Sequence, residues 1–162
     1  MKLFLKFKHW QLFLIWILSG ILFVATINTS IWILTFAIYD FIMVGWIYSI
    51  GKETNRLNGK NKIENYNEDL WFFLFLISLV PFASFSHSLE KSNGFLIFGA
   101  ILFESISAIK LVNFSAKALK QNEKKIDLKF TDYLTEFLLI IFFGIGIWII
   151  QPRLNKIINK RS

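Results

Sequence analysis

The sequence predicts an all-α, polytopic helical membrane protein. It is expected to be a single membrane domain over residues 1–162, with two transmembrane hairpins (four spanning helices) and a short C-terminal re-entrant or fifth spanning segment. Composition is the first observation, because 55% of the residues are apolar and 18% are charged, whereas a soluble domain has about 45–50% and about 25%. Clustering is the second, since nearly all of the charge lies in a few short stretches between long apolar runs. A soluble core of this length cannot cover four or five apolar helices, so lipid is the expected solvent.

The first predicted hairpin consists of helices at about 10–27 and 31–50, which are separated by only three polar residues. Its basic start and long apolar run are similar to a secretory signal sequence. However, the apolar run exceeds the usual length of about 7–15 residues for such a signal, and no A-x-A cleavage site follows it. We therefore predict an uncleaved first transmembrane helix that turns tightly into the second.

The second predicted hairpin consists of helices at about 70–88 and 95–114, and it follows a loop at 52–69 that is rich in Asn and Lys. Pro81 lies inside the third helix, where a proline predicts a kink. Each of the four apolar runs reaches the roughly 17–25 residues that cross about 30 Å of hydrocarbon. Length and apolarity together predict four spans.

The C-terminal part is predicted to be an amphipathic connector at 115–136 followed by a short apolar segment at 137–150. The connector mixes Lys and acidic residues with apolar ones, which is typical of a segment at the lipid surface or of a docking surface for a partner. The apolar segment has only 14 residues, and its end is predicted at Gln151-Pro152-Arg153. Runs of about 10–14 residues are more often re-entrant or interfacial than spanning, so a re-entrant segment is favoured over a fifth span.

The basic residues predict the orientation of the chain in the membrane. Lys and Arg gather before the first helix, between the second and third helices and after the fourth, while the two hairpin turns hold a single lysine, Lys91. Basic loops stay in the cytoplasm, so we predict a cytoplasmic N-terminus. Four more basic residues follow position 150, and a cytoplasmic tail fits four spans better than five. The net charge of +7 then reflects contact with anionic membrane lipids, and no nucleic acid partner is predicted.

Acidic residues inside the apolar runs are the candidate functional residues. Asp40 lies near the middle of the second helix, where a charged side chain costs about 2.5–3.5 kcal/mol, and Glu104 is central in the fourth helix. We predict an intramembrane polar cluster between the two hairpins, formed by Tyr39, Asp40, Glu104, Ser107 and Lys110. It is either a proton or cation site, or a structural group in which Asp40 is neutral or paired with another helix.

Catalytic, cofactor-binding and metal sites are not predicted. The chain has no cysteine, which excludes disulfides, thiolate nucleophiles and cysteine metal sites. Its two histidines, His9 and His87, fall at opposite membrane faces in the predicted topology, so they cannot bind one metal or haem together. Gly144 and Gly146 follow no strand and have no third glycine after them, which argues against a nucleotide-binding loop.

Both ends of the chain carry a resemblance to a known group of proteins. The residues concerned are KHWQLFL near the start, SAKALK at 115–120, and the C-terminal pattern from Thr131-Asp-Tyr through Glu136-Phe and Gly146-Ile-Trp-Ile-Ile-Gln-Pro-Arg153 to Asn155-Lys. Together they resemble a group of small, uncharacterised polytopic membrane proteins of Bacteroidetes-type bacteria. The resemblance implies a bacterial inner-membrane setting, and it assigns no activity and no functional residue.

The sequence therefore predicts an integral inner-membrane protein that is not an enzyme. Its expected role is that of a structural or accessory subunit that acts through helix packing, by self-association or in a larger membrane complex, with membrane lipids around it. The alternative is a small transporter or channel in which Asp40 and Glu104 form an intramembrane proton or cation site.

Overall fold

The computed structural model describes residues 2–59, 63, 67–86, 94–124 and 128–159, and every regular element in these residues is a helix. The prediction of an all-α protein is confirmed for this part of the chain. The helices, in chain order, are α1 (Lys2–Lys6), α2 (His9–Thr26), α3 (Trp32–Leu57), α4 (Glu68–Ser86), α5 (Gly94–Lys124), α6 (Phe130–Ile141) and α7 (Phe143–Asn159).

Neighbouring helices form hairpins, and the hairpins pack against one another. α2 packs against α3 and α4 against α5, as the predicted hairpins require, and α3 also packs against α5. α6 and α7 meet at Phe142 with a bend of 118°, and we call this helix pair the elbow. Other helices hold both arms of the elbow, because α6 lies on α5 while α7 lies on α2 and α1.

The number of candidate spans in the described residues is smaller than the sequence predicts. Two described helices, α2 and α3, are long and apolar enough to cross a membrane, and the elbow would be a third if its arms formed one bent span. This is fewer than the four or five spans predicted. Residues 87–93 of the second hairpin lie outside the described part of the chain, and with them the predicted end of the third helix and the predicted position of His87.

Two helices run further than predicted. The predicted ends were at 50 and 114, whereas α3 ends at Leu57 and α5 at Lys124. Hydropathy falls at the predicted ends because polar residues follow, but several of these polar residues are buried where α3 and α5 meet. Asn122 Nδ2, for example, donates to the Thr54 carbonyl oxygen at 3.4 Å. The polar extensions are helical because they bond across this interface.

The connector predicted at 115–136 also differs from the structure. Its first part, through Lys124, continues α5, and Ala118 and Leu119 within it are fully inaccessible to solvent. Its last part begins α6 at Phe130. The mixture of Lys and apolar residues over 115–124 therefore reflects a helix with one face in the protein core, rather than a segment that lies on lipid.

The apolar segment predicted at 137–150 is divided between the two arms of the elbow. α7 does not end near Pro152 but continues through it to Asn159. Proline removes one helical N–H bond, yet Gln151 and Leu154 on either side of it are fully buried. Packing of these neighbours against the core holds the helix through the proline.

Burial is concentrated at one end of the bundle, which we call the packed end. The largest fully buried apolar side chains come from the start of α2, the C-terminal halves of α3 and α5, the first half of α4, and the elbow: Leu12, Trp46, Ile50, Phe75, Leu111, Phe114, Leu119, Ile140, Ile147, Ile150 and Leu154. Away from this end, large apolar side chains of α2 and α3 are exposed, among them Leu18, Ile21, Val24, Leu34 and Ile38. A continuous apolar surface of this kind is expected where lipid is the solvent.

Candidate functional site

The structure places Asp40, the centre of the predicted cluster, where the packed end begins. Asp40 is only 6% exposed, and its Oδ2 atom has no hydrogen-bond partner among the described residues. Glu104 belongs to α5 in the other hairpin and is close enough to act on Asp40 electrostatically. Glu104 therefore lies within electrostatic reach of Asp40, and we call these two carboxyl groups of the predicted cluster the acid pair.

The other three residues of the predicted cluster have contacts of their own. The Tyr39 ring stacks on that of Trp16 of α2, with ring centres 6.1 Å apart. Ser107 is fully buried, and its hydroxyl donates to the Phe103 carbonyl oxygen of its own helix at 2.9 Å. The Lys110 ammonium lies 5.9 Å from the ring centre of Trp71. Tyr39 thus faces α2 and Lys110 faces α4, while Ser107 stays within α5.

The chemistry open to the acid pair is the binding of a proton or a cation. Two carboxylates in a medium of low dielectric constant repel each other, and each also loses hydration. A bound proton or monovalent cation relieves both costs. Among the described residues there is no group of three or more His, Asp and Glu side chains that could hold a metal ion.

Gln151 is a buried polar residue that sequence reasoning missed. It is fully inaccessible, and its Oε1 atom accepts the indole N–H of Trp46 at 2.8 Å. Its Nε2 atom donates to the carbonyl oxygens of Phe7 and Phe4, at 3.0 and 3.3 Å. One amide therefore joins α1, α3 and α7. The sequence carries no signal for this contact, because Trp46 and Gln151 are 105 positions apart in the chain.

Glu136 is the centre of a second network that the sequence did not predict. Its side chain is 2% exposed, and its Oε1 atom accepts from Lys120 at 2.9 Å and from Arg153 at 2.8 Å. Arg153 also binds Glu123 at 2.7 Å. These bonds connect α5, α6 and α7. Because a nearly buried carboxylate is stable only with cationic partners, the network fixes the elbow against α5.

A third polar contact joins α3 to the start of α4. Lys52 Nζ donates to Asp69 Oδ1 at 2.8 Å, and the Tyr48 hydroxyl donates to the same oxygen. Lys52 and Asp69 are about half exposed, so solvent screens the pair and its contribution to stability is small.

The contact between α3 and α5 depends on small residues. A Cβ atom on Gly51 would lie 2.6 Å from Ser115 Oγ and 2.7 Å from the Phe114 ring. Ser115 Oγ in turn donates to the Ile47 carbonyl oxygen at 2.7 Å. The two helices therefore approach closely enough for a side chain of one to bond the backbone of the other.

These features define the class of the protein. It is all-helical in its described residues, and at least two of its helices are long and apolar enough to cross a membrane, which indicates a helical membrane protein. The chain matches no protein-family model, no curated protein and no solved structure.

Proposed function

We propose that the protein is a structural or accessory subunit of a bacterial inner membrane, which crosses the bilayer four times and acts through helix packing rather than catalysis. The observation that supports this role is the use of polar side chains at the packed end. Gln151, Glu136 and Asn122 are nearly or fully buried, and each bonds its helix to other helices. Buried polar groups that bond across helices favour one arrangement of these helices, as a rigid packing partner requires.

In this proposal α2, α3, α4 and α5 are the four spans and the packed end is cytoplasmic. The packed end gathers the N-terminal residues, the end of α3 and the end of α5, because Gln151 bonds the Phe7 carbonyl and Ser115 bonds that of Ile47. These are the segments in which Lys and Arg are concentrated. Basic segments remain in the cytoplasm, so the contacts and the charges support the same orientation.

Labelling of single cysteines tests this orientation, and the chain offers a background without native cysteine. Asn28→Cys lies in the exposed turn between α2 and α3, and Lys124→Cys at the exposed end of α5. In intact cells we expect a membrane-impermeant maleimide to label Asn28→Cys, and to label Lys124→Cys only after the membrane is permeabilised. The opposite pattern would reverse the orientation, and labelling of both from outside would contradict the proposed number of spans.

The packing partner is proposed to be a second copy of the chain or a larger membrane complex. The exposed apolar side chains of α2 and α3, such as Leu18 and Leu34, offer surfaces that neighbouring helices can cover in place of lipid. After extraction in a mild detergent, we expect native mass spectrometry to give a mass above that of a single 162-residue chain. A single chain under all mild conditions would contradict the accessory role.

Proton or cation transfer is a second candidate function, and Asp40 is the observation that favours it. Its Oδ2 atom is buried without a hydrogen-bond partner among the described residues, and Glu104 acts on it from another hairpin. Ionisable residues inside transmembrane segments often mark ion or proton pathways. The acid pair therefore fits a proton or monovalent cation as its ligand.

Asp40→Asn and Glu104→Gln separate the two functions. If the acids are structural, we expect wild-type proteoliposomes to show no proton or cation flux, and the variants to lose assembly or expression. If wild type shows flux and both variants remain folded without it, transport replaces the accessory role. Ser105→Ala is the matched control, because Ser105 lies exposed on α5 next to Glu104 and bonds only the Ile101 carbonyl of its own helix; it should change neither assembly nor flux.

A further inference from the structure

The elbow presents a continuous apolar strip on its outer face. The exposed large side chains follow one another at helical spacing along both arms: Phe130, Leu134, Leu138, Ile141, Phe142, Ile145, Trp148 and Ile149. The opposite face of each arm is buried by residues such as Tyr133, Ile140 and Ile147. The strip is thus the outer surface of a well-packed element. Any molecule that covers this strip must itself be apolar.

Contacts with α2 show how deep the elbow reaches. Trp148 lies against His9, the first residue of α2, with ring centres 4.7 Å apart. Phe143, the first residue of α7, lies against Trp16 with ring centres 5.2 Å apart. His9 and Trp16 are separated by seven positions, or about 10 Å along a helix. α7 therefore runs antiparallel to α2, and its first residue lies about 10 Å further along α2 than Trp148 does.

Both arms of the elbow are tied to the same end of α5. Glu136 of α6 accepts from Lys120 at 2.9 Å, and Arg153 of α7 donates to Glu123 at 2.7 Å. Lys120 and Glu123 belong to the last turns of α5. A span built from both arms would instead carry the chain from one membrane face to the other. The apolar start of α7, Phe143 to Ile150, extends only about 12 Å and is too short to cross about 30 Å of hydrocarbon.

We infer that the elbow is a re-entrant wedge that enters and leaves through the cytoplasmic face and places Phe142 and Ile145 among the acyl chains of cytoplasmic-leaflet phospholipids. This inference rests on the orientation proposed above. Trp148 is exposed at the level where α2 begins, which is the interfacial depth that tryptophan prefers. Lys156 follows eight positions later on the same helix and is exposed, so it lies about 12 Å further out, on the aqueous side of the interface.

Fluorescence quenching in lipid vesicles tests the wedge. An environment-sensitive fluorophore is attached at Phe142→Cys, at Ile77→Cys on the exposed face of α4, and at Lys156→Cys as the aqueous control. We expect nitroxide groups on the lipid acyl chains to quench the label at position 142 several-fold more than the label at 156, and about as strongly as the label at 77. Iodide is a water-soluble quencher. When it is present on both sides of the membrane, it should quench the label at position 156 more strongly than the label at position 142.

Two results would overturn the inference. Strong iodide quenching at position 142 would place the elbow in water. The second result is that neither quencher reaches position 142 and that the same cysteine cross-links two chains. This result would show that a second copy covers the strip. The maleimide labelling of Asn28→Cys and Lys124→Cys tests the proposed orientation, and the quenching experiment tests the wedge. The two experiments are independent, so a failure of the orientation can be told apart from a failure of the wedge.

Discussion

Replacement of Gly146 by alanine is expected to destabilise the folded protein by about 3 kcal/mol or more. A Cβ atom at this position would lie 1.9 Å from the Leu139 carbonyl oxygen. Both groups belong to the backbone of the elbow, so no side chain can move aside to make room. The bend between α6 and α7 would have to open, which would remove Phe143 and Ile147 from the core. The measurement is the midpoint temperature of thermal unfolding in a fixed detergent, detected by intrinsic tryptophan fluorescence.

Gly144→Ala is the matched control, two positions earlier on the same helix. A Cβ atom there would lie 3.6 Å from the Trp16 ring, which is an ordinary van der Waals contact. Alanine in a helix is more stable than glycine by about 0.5–1 kcal/mol, so the midpoint should stay the same or rise slightly. If the two alanine variants unfold at similar midpoint temperatures, the Leu139 carbonyl oxygen does not lie close to Gly146 and the prediction is wrong.

The second large effect is expected for Glu136→Gln, which should cost about 3 kcal/mol. The substitution keeps the shape of the side chain but leaves the positive charges of Lys120 and Arg153 without their shared, nearly buried carboxylate. Removal of one partner from a buried ion pair costs about 3–5 kcal/mol. We expect the lower value here because Arg153 keeps Glu123 as a partner. Chemical unfolding in mixed micelles measures the change in free energy of unfolding.

Glu123→Gln is the control for this variant, because it removes the other carboxylate of the same arginine. Glu123 is 30% exposed, and water can hydrate Arg153 once the pair is lost. Exposed ion pairs contribute within about 1 kcal/mol, so the loss should be much smaller than for Glu136→Gln and should diminish with added salt. Equal losses for the two variants would contradict the central position of Glu136 in the network.

The candidate site was only partly predictable from the sequence. Asp40 and Glu104 were recognisable because a carboxylate in a long apolar run is costly and therefore conspicuous. The sequence also predicts that they share one cluster between the two hairpins, and in the structure Glu104 acts electrostatically on Asp40. Gln151 was interpreted as part of a helix end because proline follows it, whereas its partner Trp46 lies 105 positions away in the chain. A local pattern carries no information about a partner at that distance.

The ends of the helices were also only partly predictable from the sequence. Apolar runs located α2 and the first parts of α3 and α5, because a predominantly apolar segment in lipid satisfies its backbone hydrogen bonds as a helix. The continuation of α3 to Leu57 and of α5 to Lys124 was missed, because Thr54 and Asn122 are polar and look like loop residues. They are helical because their amide and carbonyl groups bond across the α3–α5 interface.

By itself, the sequence determined that the described part of the chain is helical and holds helices apolar enough to cross a membrane, because hydropathy is a sum over neighbouring residues and needs no knowledge of distant ones. Only the tertiary structure decided where the short C-terminal segment bends and which polar side chains are buried. Each of these depends on the free energy of pairing groups far apart in the chain. Glu136 is an unfavourable buried charge until Lys120 and Arg153 reach it, and Gly146 is an ordinary helical residue until the Leu139 carbonyl approaches it.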